Sequence, residues 1–429
     1  MWSRNWLRNR IKGMLLNQEK VALRSGAFSV EACFHDIDSI GLYLHIPFCR
    51  QICPYCPYNK ELFRASVAER YTQAVLREID LYAAIVGSRP VTSFYIGGGT
   101  PTTMLHTGLS RILEHIYHTF DMQCSIHMES HPNDLSAANL DSITAMGVGH
   151  LSIGIEALQD RHLRTLCRPY TAAEAWAAIE RAAGRDFKCV NVDLIFALPG
   201  QTHDELRQAS RTLIEMGVDQ ITTYPLFTFP YTKWPQLAQQ NRYRSYNLLQ
   251  KWRMLRVLEQ ILYDAGYERT SVWAFTRAGV PKYCSVTVPL YLGLGASAGS
   301  YLRDIFYLNT FNVLEYTRAL AEGRMPIALS LELSKRMQMA GWLYWRIYET
   351  RFKKSDFQRR FNEDFDAVYG NYLRPLSLLG LLQERQDEMV LTDTGTYWLH
   401  ALQDLFSIDY IGKLWGTSQH NPWPAEVIL

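Results

Sequence analysis

Short apolar runs alternate with amphipathic helical patterns from residue 41 to about residue 230. The predicted strands are 42–46, 91–96, 125–129, 150–155, 189–196 and 220–226. Helical periodicity lies between them, at about 67–86, 107–120, 136–146, 171–184 and 203–216. Strand–helix alternation is typical of a parallel sheet, because parallel neighbours need a long crossover connection. Six units are fewer than the eight of a closed barrel, so the sequence predicts an α/β fold built on an open, partial barrel.

Three cysteines lie on one loop directly after the first predicted strand. Cys49, Cys53 and Cys56 have the spacing C-x3-C-x2-C, and no fourth cysteine is near them in the sequence. A closed structural zinc site takes four ligands, and a disulfide takes two cysteines. Three thiolates on a short loop instead favour an iron–sulfur cluster with one iron left open. Two other interpretations stay open here: three free thiols, or a zinc site completed by His45 or a distant cysteine.

The composition is that of a globular protein in a reducing compartment. The 429 residues are 48% hydrophobic and 13% aromatic, and the cysteines outside the loop are isolated from one another. They form no disulfide framework of the secreted kind. Lys and Arg number 44 against 42 Asp and Glu, so the balance does not indicate a nucleic-acid partner. No apolar run is long enough to span a bilayer, and we expect a cytosolic protein.

The first twenty residues combine basic and apolar side chains, with no acidic residue before Glu19. The apolar residues include Trp2, Trp6 and Met14. A helix on a membrane surface or a targeting segment has this composition. A helix that packs across the core with its basic residues in solvent has it too, and both interpretations stay open.

Polar residues follow the other predicted strands. The second strand is followed by Gly97-Gly98-Gly99-Thr100-Pro101-Thr102, the third ends in Glu129, the fourth ends near Glu156, and the fifth contains Asp193. Three glycines allow a sharp turn and bring backbone N–H groups close to a ligand. Each carboxylate alone would also fit a solvated rim. Because the carboxyl ends of parallel strands meet at one edge, these residues together with Arg168 predict a polar binding site.

These motifs, taken in order, resemble those of radical S-adenosylmethionine (SAM) proteins. The resemblance rests on residues 43–49 (YLHIPFC), the cysteine loop, residues 97–102, and Asp193 followed by LPGQT at 198–202. More narrowly, the chain resembles the oxygen-independent coproporphyrinogen III oxidase group, which includes haem chaperones and anaerobic haem-degrading enzymes. The resemblance covers about residues 41–310 and continues more weakly to the C-terminus. It implies a partial (β/α)6 radical SAM barrel.

The resemblance also implies cofactors, beginning with a [4Fe–4S] cluster held by Cys49, Cys53 and Cys56. In radical SAM proteins the open iron binds SAM, and one electron then yields methionine and a 5′-deoxyadenosyl radical. The implied contacts of this SAM are Tyr43, Gly98, Glu129 and Gly299. The oxidase group places a second SAM nearby, with implied contacts at Tyr55, Gly99, Thr100, Glu156, Arg168, Asp193 and Phe227. We therefore expect the cluster and one SAM, or two.

The chain departs from the family pattern at three places. Pro57 and Tyr58 follow the third cysteine, where the oxidases have a further cysteine in a C-x-C pair. Glu156 stands where relatives commonly carry Gln. Residues 282–289 (KYCSVTVP) replace the His-Asn…Tyr-Trp haem motif of the chaperones. Within that segment, Cys284 is interpreted either as an axial haem ligand or as a buried free thiol.

From about residue 330 the sequence indicates helices rich in aromatic residues, followed by a hairpin near 388–392 and a turn at Gly395. We divide the chain into an N-terminal helical extension (1–40), a radical SAM core (41–310) and a mainly helical, winged-helix-like lid domain (311–429). A DNA-binding winged helix is the alternative, but the segment has no concentrated basic face.

The predicted function is radical SAM oxidation of a tetrapyrrole, in the manner of coproporphyrinogen III oxidase. A methyltransferase or a haem ring-opening enzyme of the same family is the first alternative. A haem chaperone, which binds haem without turning it over, is the second. The partners we expect are the tetrapyrrole and a flavodoxin- or ferredoxin-like electron donor, with no nucleic acid and no integral membrane segment.

Overall fold

The strands of the chain alternate with helices as the sequence predicts. A computed structural model describes residues 4–16, 19–26, 28–283 and 289–429. The strands are β1 (Ala22–Arg24), β2 (Ile40–Ile46), β3 (Phe48–Cys49), β4 (Glu61–Leu62), β5 (Pro90–Gly98), β6 (Asp121–Met122), β7 (Ile126–Ser130), β8 (Val148–Glu156), β9 (Cys189–Phe196), β10 (Gln220–Pro225), β11 (Tyr267–Arg269), β12 (Ala274–Arg277), β13 (Tyr291–Leu294), β14 (Gly299–Tyr301), β15 (Ile305–Asn309), β16 (Ile327–Glu332), β17 (Arg351–Lys353), β18 (Leu382–Arg385), β19 (Glu388–Leu391) and β20 (Glu426–Ile428).

The helices are α1 (Arg4–Leu16), α2 (Ala65–Val86), α3 (Leu109–Thr119), α4 (Ala137–Ala145), α5 (Asp160–Thr165), α6 (Ala172–Ala183), α7 (His203–Glu215), α8 (Trp234–Gln240), α9 (Leu248–Asp264), α10 (Val313–Ala321), α11 (Lys335–Tyr348), α12 (Lys354–Phe361), α13 (Asn371–Leu378) and α14 (Asp393–His420). Short 3-10 turns lie at Glu31–Phe34, Pro101–Met104 and Pro132–Asp134.

Six parallel strands form the centre of the main sheet. β2, β5, β7, β8, β9 and β10 are neighbours in that order, and each pairs in parallel with the next. Helices α2, α3, α4, α6 and α7 connect them in turn. β8 and β9 are buried along most of their length, as strands covered on both faces are. The predicted α/β architecture is confirmed, and all six strands coincide with the apolar runs of the sequence.

The sheet continues on both sides of this parallel centre. β12 pairs antiparallel with β10, while β13 lies parallel beside β2 and leads to β14, β15, β16, β1 and β20. In the part of the chain that the structure describes, the two ends of this sheet do not pair with each other. β16 lies beyond residue 310 yet pairs with β15, so the sheet crosses the boundary drawn between core and lid. The division into domains stays a prediction.

The N-terminal segment packs against the lid. Arg8 forms an ion pair with Asp409 on α14, with 2.7 Å between nitrogen and oxygen, and the Lys12 ammonium donates to the carbonyl of Leu429 at 2.7 Å. β1 lies between β16 and β20, so the segment is not helical throughout. Trp2 lies outside the described residues. Among the described helices, none has the length together with the apolar character that crossing a bilayer requires.

The lid has an aromatic core of its own. Its buried residues are Met339, Leu343, Phe352, Phe357, Phe361, Phe365, Tyr369, Leu373, Leu382, Met389, Leu391 and Leu399. β17, β19 and β18 form a small antiparallel sheet beside α12 and α13, in a winged-helix-like arrangement. Thr392 caps α14 by accepting from the backbone N–H of Gly395 at 3.0 Å. Gly395 is required there because a Cβ would collide with the carbonyl of Leu381.

Candidate active site

A cavity of about 600 Å³ lies between the carboxyl ends of the parallel strands and the lid. This volume is in the range of small-molecule and cofactor sites. The predicted site residues that line it are Cys49, Cys53, Tyr55, Cys56, Gly98, Gly99, Thr100, Glu129, Glu156, Arg168, Asp193 and Phe227. The opposite wall comes from the lid and consists of Tyr344, Trp345, Tyr348, His400, Asp404, Ser407, Ile408, Ile411 and Trp415. We call these two surfaces the strand-end wall and the lid wall.

The glycine turn packs directly against the cysteine loop. The N–H of Gly99 donates to the carbonyl of Ile46 at 2.7 Å, and the N–H of Thr100 donates to the carbonyl of Phe48 at 2.8 Å. A Cβ at Gly99 would lie 2.7 Å from the Phe48 carbonyl oxygen. Gly98 has φ of 116°, and a Cβ there would overlap the ring of His45. The glycines are therefore needed for close approach of the second strand end to the cysteine loop.

The three loop cysteines are free thiols. Burial raises the pKa of Cys49 to about 12, and burial also raises the pKa of Cys56 above its usual value. Thr100 Oγ1 approaches the sulfur of Cys49 at 3.5 Å. Without a metal, Cys49 and Cys56 therefore keep their protons at neutral pH. Metal binding has to displace these protons, which makes incorporation pH-dependent.

The donor set fits an iron–sulfur cluster. Three free thiols on one short loop face a cavity, and each can bind a different iron of a cubane. Across the described residues, no three His, Cys, Asp or Glu side chains are gathered closely enough to hold one metal ion. His45, the proposed fourth ligand of a zinc site, has both ring nitrogens hydrogen-bonded: Nδ1 to the hydroxyl of Tyr43 at 2.8 Å and Nε2 to the carbonyl of Asn59 at 3.0 Å.

Glu129 is held at the end of β7 by two donors. The hydroxyl of Tyr95 donates to Oε1 at 2.5 Å, and the N–H of Gly98 donates to Oε2 at 3.1 Å. Burial nevertheless raises the pKa of the carboxyl group, and the nearby Glu156 raises it further. A half-buried carboxylate with few donors favours a cationic ligand, because such a ligand compensates its charge. Glu129 could therefore accept a hydrogen bond from an ammonium or hydroxyl group.

Asp193 and Glu156 extend this acidic surface along the strand ends. Asp193 accepts from the side-chain amide of Asn191 at 2.9 Å and from the hydroxyl of Ser152 at 3.1 Å. Burial and, to a lesser extent, the negative charges of Glu156 and Glu129 raise the pKa of Asp193 to about 8. Glu156 has φ of 65°, a left-handed conformation that is uncommon for a residue with a side chain. In this backbone conformation the Glu156 carboxylate lies beside the hydroxyl of Tyr224, which donates to it at 3.1 Å.

Two predicted SAM contacts do not line the cavity. Tyr43 is half-buried, and its ring stacks with that of Tyr95 at 6.1 Å between centroids. Since a carbonyl only accepts, Nε2 of His45 carries the ring proton, and the Tyr43 hydroxyl donates to Nδ1. Gly299 lies on β14, where a Cβ would meet the side chains of Phe306 and Leu308 rather than a ligand. The roles of Tyr43 and Gly299 stay predictions.

The sequence interpretation missed several residues that shape the cavity. Tyr95 and Ser152 line the cavity and Asn191 donates to Asp193, yet all three are absent from the predicted site. Asn191 and Asp193 share a strand face because they are two residues apart. This spacing of two residues along a strand is the sequence signal that could have identified Asn191. The aromatic stripe on α11 divides in a way that spacing alone does not reveal, since Trp345 lines the cavity while Trp342 packs in the lid core. Cys284 lies outside the described residues.

Comparisons with known proteins agree with this geometry. The model of the radical SAM superfamily matches residues 43–213. Heme chaperone HemW of Bacillus subtilis is 26% identical over 360 residues, which are 82% of this chain and 95% of the chaperone. Anaerobilin synthase of Escherichia coli O157:H7 is 25% identical over 383 residues, which are 86% of this chain and 84% of the synthase. Among solved structures, coproporphyrinogen III oxidase (HemN) from Escherichia coli, a radical SAM enzyme, has a TM-score of 0.77 and 21% identity over 91% of this chain and 97% of its own.

The fold, the cysteine loop and the strand-end residues are those expected of a radical SAM protein. Residues 43–213 match the radical SAM superfamily, and the chain is similar over most of its length to a haem chaperone and, in fold, to a coproporphyrinogen III oxidase. The match to the superfamily implies a [4Fe–4S] cluster and SAM as cofactors. The predicted family is thereby confirmed, and the three-thiol loop is the motif on which the superfamily's chemistry depends.

Proposed function

We propose that this protein is a radical SAM enzyme that acts on a tetrapyrrole by oxidative decarboxylation of a propionate side chain, as in coproporphyrinogen III oxidation. One observation supports this most directly: a single cavity is lined on one side by the three cysteines and on the other by the aromatic lid wall. When bound, the cluster and SAM supply a 5′-deoxyadenosyl radical that removes a hydrogen atom from the substrate. A vinyl group then forms with loss of carbon dioxide, and the remaining electron passes to an acceptor.

The strand-end wall would bind SAM. Cys49, Cys53 and Cys56 would hold the cluster, and the glycine turn would offer N–H groups to the methionine carboxylate. Glu129 would accept from the SAM amino group or ribose hydroxyls, because it is half-buried at the cavity and its charge is not compensated by a cation in hydrogen-bond contact. Glu156 and Asp193 would bind a second cationic group farther along the same wall. The number of SAM molecules is part of this proposal.

The lid wall would bind the flat, apolar face of the tetrapyrrole. Tyr344, Trp345 and Tyr348 from α11 stand opposite Phe227 and Trp273 from the core side. Aromatic rings offer large apolar surfaces at low conformational cost, which suits a planar macrocycle. The lid would also exclude water from the radical, as closed active sites do.

Cations for the propionates are few in this cavity. Lys60 and Arg168 line it, and a smaller cavity of about 40 Å³ beside Leu226 is lined by Arg244 and Lys251. A cavity needs roughly 10–15 Å³ to hold one water molecule, so the smaller cavity would accommodate the carboxylate group of one propionate.

Haem is the second candidate ligand. Two relatives that align over most of their own length are a haem chaperone and anaerobilin synthase, and four basic residues are a modest complement for a substrate with four propionates. Haem has two propionates and the same flat macrocycle. A haem chaperone would bind it without turnover, whereas a haem-degrading enzyme would open the ring.

The test uses anaerobically reconstituted protein with SAM and dithionite, incubated in parallel with coproporphyrinogen III and with haem. All products are then identified by mass spectrometry. Tetrapyrrole product that has lost carbon dioxide, together with 5′-deoxyadenosine, is the expected result. Ring-opened or methylated haem would move the protein to the haem-modifying enzymes. Tight haem binding with no tetrapyrrole product and no substrate-dependent 5′-deoxyadenosine would identify a chaperone and contradict the proposed reaction.

A further inference from the structure

Arg168 makes a hydrogen bond that joins it to the cysteine loop. Its Nη1 atom donates to the sulfur of Cys53 at 3.1 Å. The resemblance to the family assigns this arginine to SAM and says nothing of a bond to a cysteine sulfur. We propose that Arg168 sets the reduction potential of the cluster through this N–H···S bond, acting as a positioning residue for Cys53 and as the compensating charge beside it. The inference depends on the cluster being bound by Cys49, Cys53 and Cys56.

The guanidinium is oriented by the protein itself. Its Nη2 atom donates to the carbonyl of Gly154 at 2.6 Å, and its Nε atom donates to the hydroxyl of Tyr170 at 2.8 Å. The planar fork of an arginine is rigid, so fixing Nε and Nη2 also fixes the direction of Nη1. Nη1 therefore points at the sulfur of Cys53 without help from a ligand.

The backbone before Arg168 contributes to this placement. Cys167 has φ of 55°, a left-handed turn that ends α5 and directs the next side chain toward the cavity. The N–H of Arg168 donates to the carbonyl of Leu163 at 2.9 Å. Gln51, on the cysteine loop, donates from its side-chain amide to the carbonyl of Cys167 at 2.6 Å. Two hydrogen bonds thus join this turn to the cysteine loop, one through Gln51 and one through Cys53.

The charge balance around the loop gives this bond its effect. A [4Fe–4S] core with three thiolates becomes more negative by one charge on reduction, so a nearby cation stabilises the reduced form more than the oxidised form. Potentials of such clusters depend on net charge, hydrogen bonds to sulfur and exposure to solvent. The cavity also contains Glu129, Glu156 and Asp193, whose ionised forms would oppose reduction. Arg168 is the cation whose hydrogen bond reaches a cluster-ligand sulfur, whereas the Lys60 ammonium donates to backbone carbonyls of the loop at 2.7 Å.

The experiment measures the reduction potential by EPR-monitored titration of reconstituted protein without SAM, so that a change in SAM contact does not enter. Arg168→Gln removes the charge and keeps a neutral amide, while Arg168→Lys keeps the charge on a donor with a different geometry. Arg50→Gln is the matched control, because Arg50 carries the same charge and lies on the cysteine loop itself, but it donates to Asp134 at 3.3 Å instead of a sulfur. Iron and sulfide content is measured for every variant.

Arg168→Gln should shift the reduction equilibrium at least tenfold toward the oxidised cluster, which for one electron is a fall of about 59 mV. The reduction potential of Arg168→Lys should fall less, and that of Arg50→Gln should stay close to the wild-type value.

Equal potentials for wild type and Arg168→Gln at full iron content would overturn the inference, even if SAM affinity fell. Equal shifts for Arg168→Gln and Arg50→Gln would also overturn it, since any lost charge would then suffice. A wild-type protein that takes up no iron would overturn both this inference and the ligand assignment. A normal cluster with no tetrapyrrole turnover would contradict the proposed function alone.

Discussion

The two walls of the cavity are built by different means. The strand-end wall consists of the carboxyl-terminal parts of the parallel strands and of the short loops that follow them, and most of its side chains are polar. The lid wall consists of side chains on the long helices α11 and α14, and it is mainly aromatic. The comparison indicates that the two walls have different functions: the strand ends would bind the cofactors, and the lid would select the substrate. Each prediction below tests whether the two walls can be changed separately.

The largest effect is expected on the strand-end wall. Replacing Cys49, Cys53 and Cys56 together with Ala should abolish cluster binding, because no other described cysteine lines the cavity. Iron and sulfide content and the thiolate-to-iron absorption at ~400 nm report the loss. Cys124→Ala, a half-buried cysteine outside the cavity, is the control and should keep the cluster. Retention of the absorption in the triple variant would show that the ligand assignment is wrong.

Glu129→Gln should weaken SAM binding about 10- to 100-fold, since a hydrogen bond to a charged group contributes about 1.5–3 kcal/mol. The iron content should not change, because Glu129 contacts Tyr95 and Gly98 and no cysteine. Equilibrium dialysis with labelled SAM measures the affinity. Glu180→Gln removes an exposed carboxylate on α6 and serves as the control. Equal affinities in the wild type and Glu129→Gln would remove Glu129 from the SAM site.

A change in the lid wall should weaken the binding of the tetrapyrrole and leave the affinity for SAM unchanged. Trp345→Ala should lower the affinity for haem or coproporphyrin about tenfold, which corresponds to about 1.4 kcal/mol of lost aromatic contact. Anaerobic absorbance titration of the macrocycle and dialysis of SAM measure the two affinities on the same preparation. Tyr117→Ala, an exposed aromatic residue on α3, is the control. If Trp345→Ala weakened both ligands equally, the two walls would not be separate sites.

The smallest effect concerns stability of the apoprotein. Asp193 has a pKa of about 8 in the folded chain because its charge is buried, whereas an unfolded Asp titrates near pH 4. The folded form therefore holds the extra proton between about pH 4 and pH 8, and the free energy of unfolding falls as the pH rises through this window. Asp193→Asn removes this pH dependence, so the variant should be more stable relative to wild type at pH 8 than at pH 5. Urea unfolding at the two pH values measures the free energy of unfolding. An identical pH dependence in both proteins would contradict the raised pKa of Asp193.

Local patterns were sufficient to predict the glycine turn and the carboxylates of the strand-end wall because these residues lie in or directly after apolar runs, whereas Tyr55 and Phe227 were assigned by resemblance to the family. Glu129, Glu156 and Asp193 were placed together from their positions at strand ends, and the structure brings them to one cavity. The same rule did not find Tyr95, whose hydroxyl holds Glu129, since a tyrosine inside a strand is also an ordinary core residue. Gly299 was assigned by likeness to the family, but its neighbours come from β15, which no local pattern reveals.

The amino-acid sequence by itself determined the alternation of strands and helices, the three-thiol loop and the polar strand ends, because these depend on residues close together in the chain. Only the tertiary structure decided that Trp345 faces the cavity while Trp342 packs, half-buried, against the lid core, and that β1 and β20 complete the sheet beside β16. It also decided that Arg168 meets the sulfur of Cys53, which is 115 residues away in sequence. Such contacts depend on which helix covers which strand and on where the ends of the chain meet. Burial and hydrogen bonding between distant segments select that arrangement, and a local pattern does not contain it.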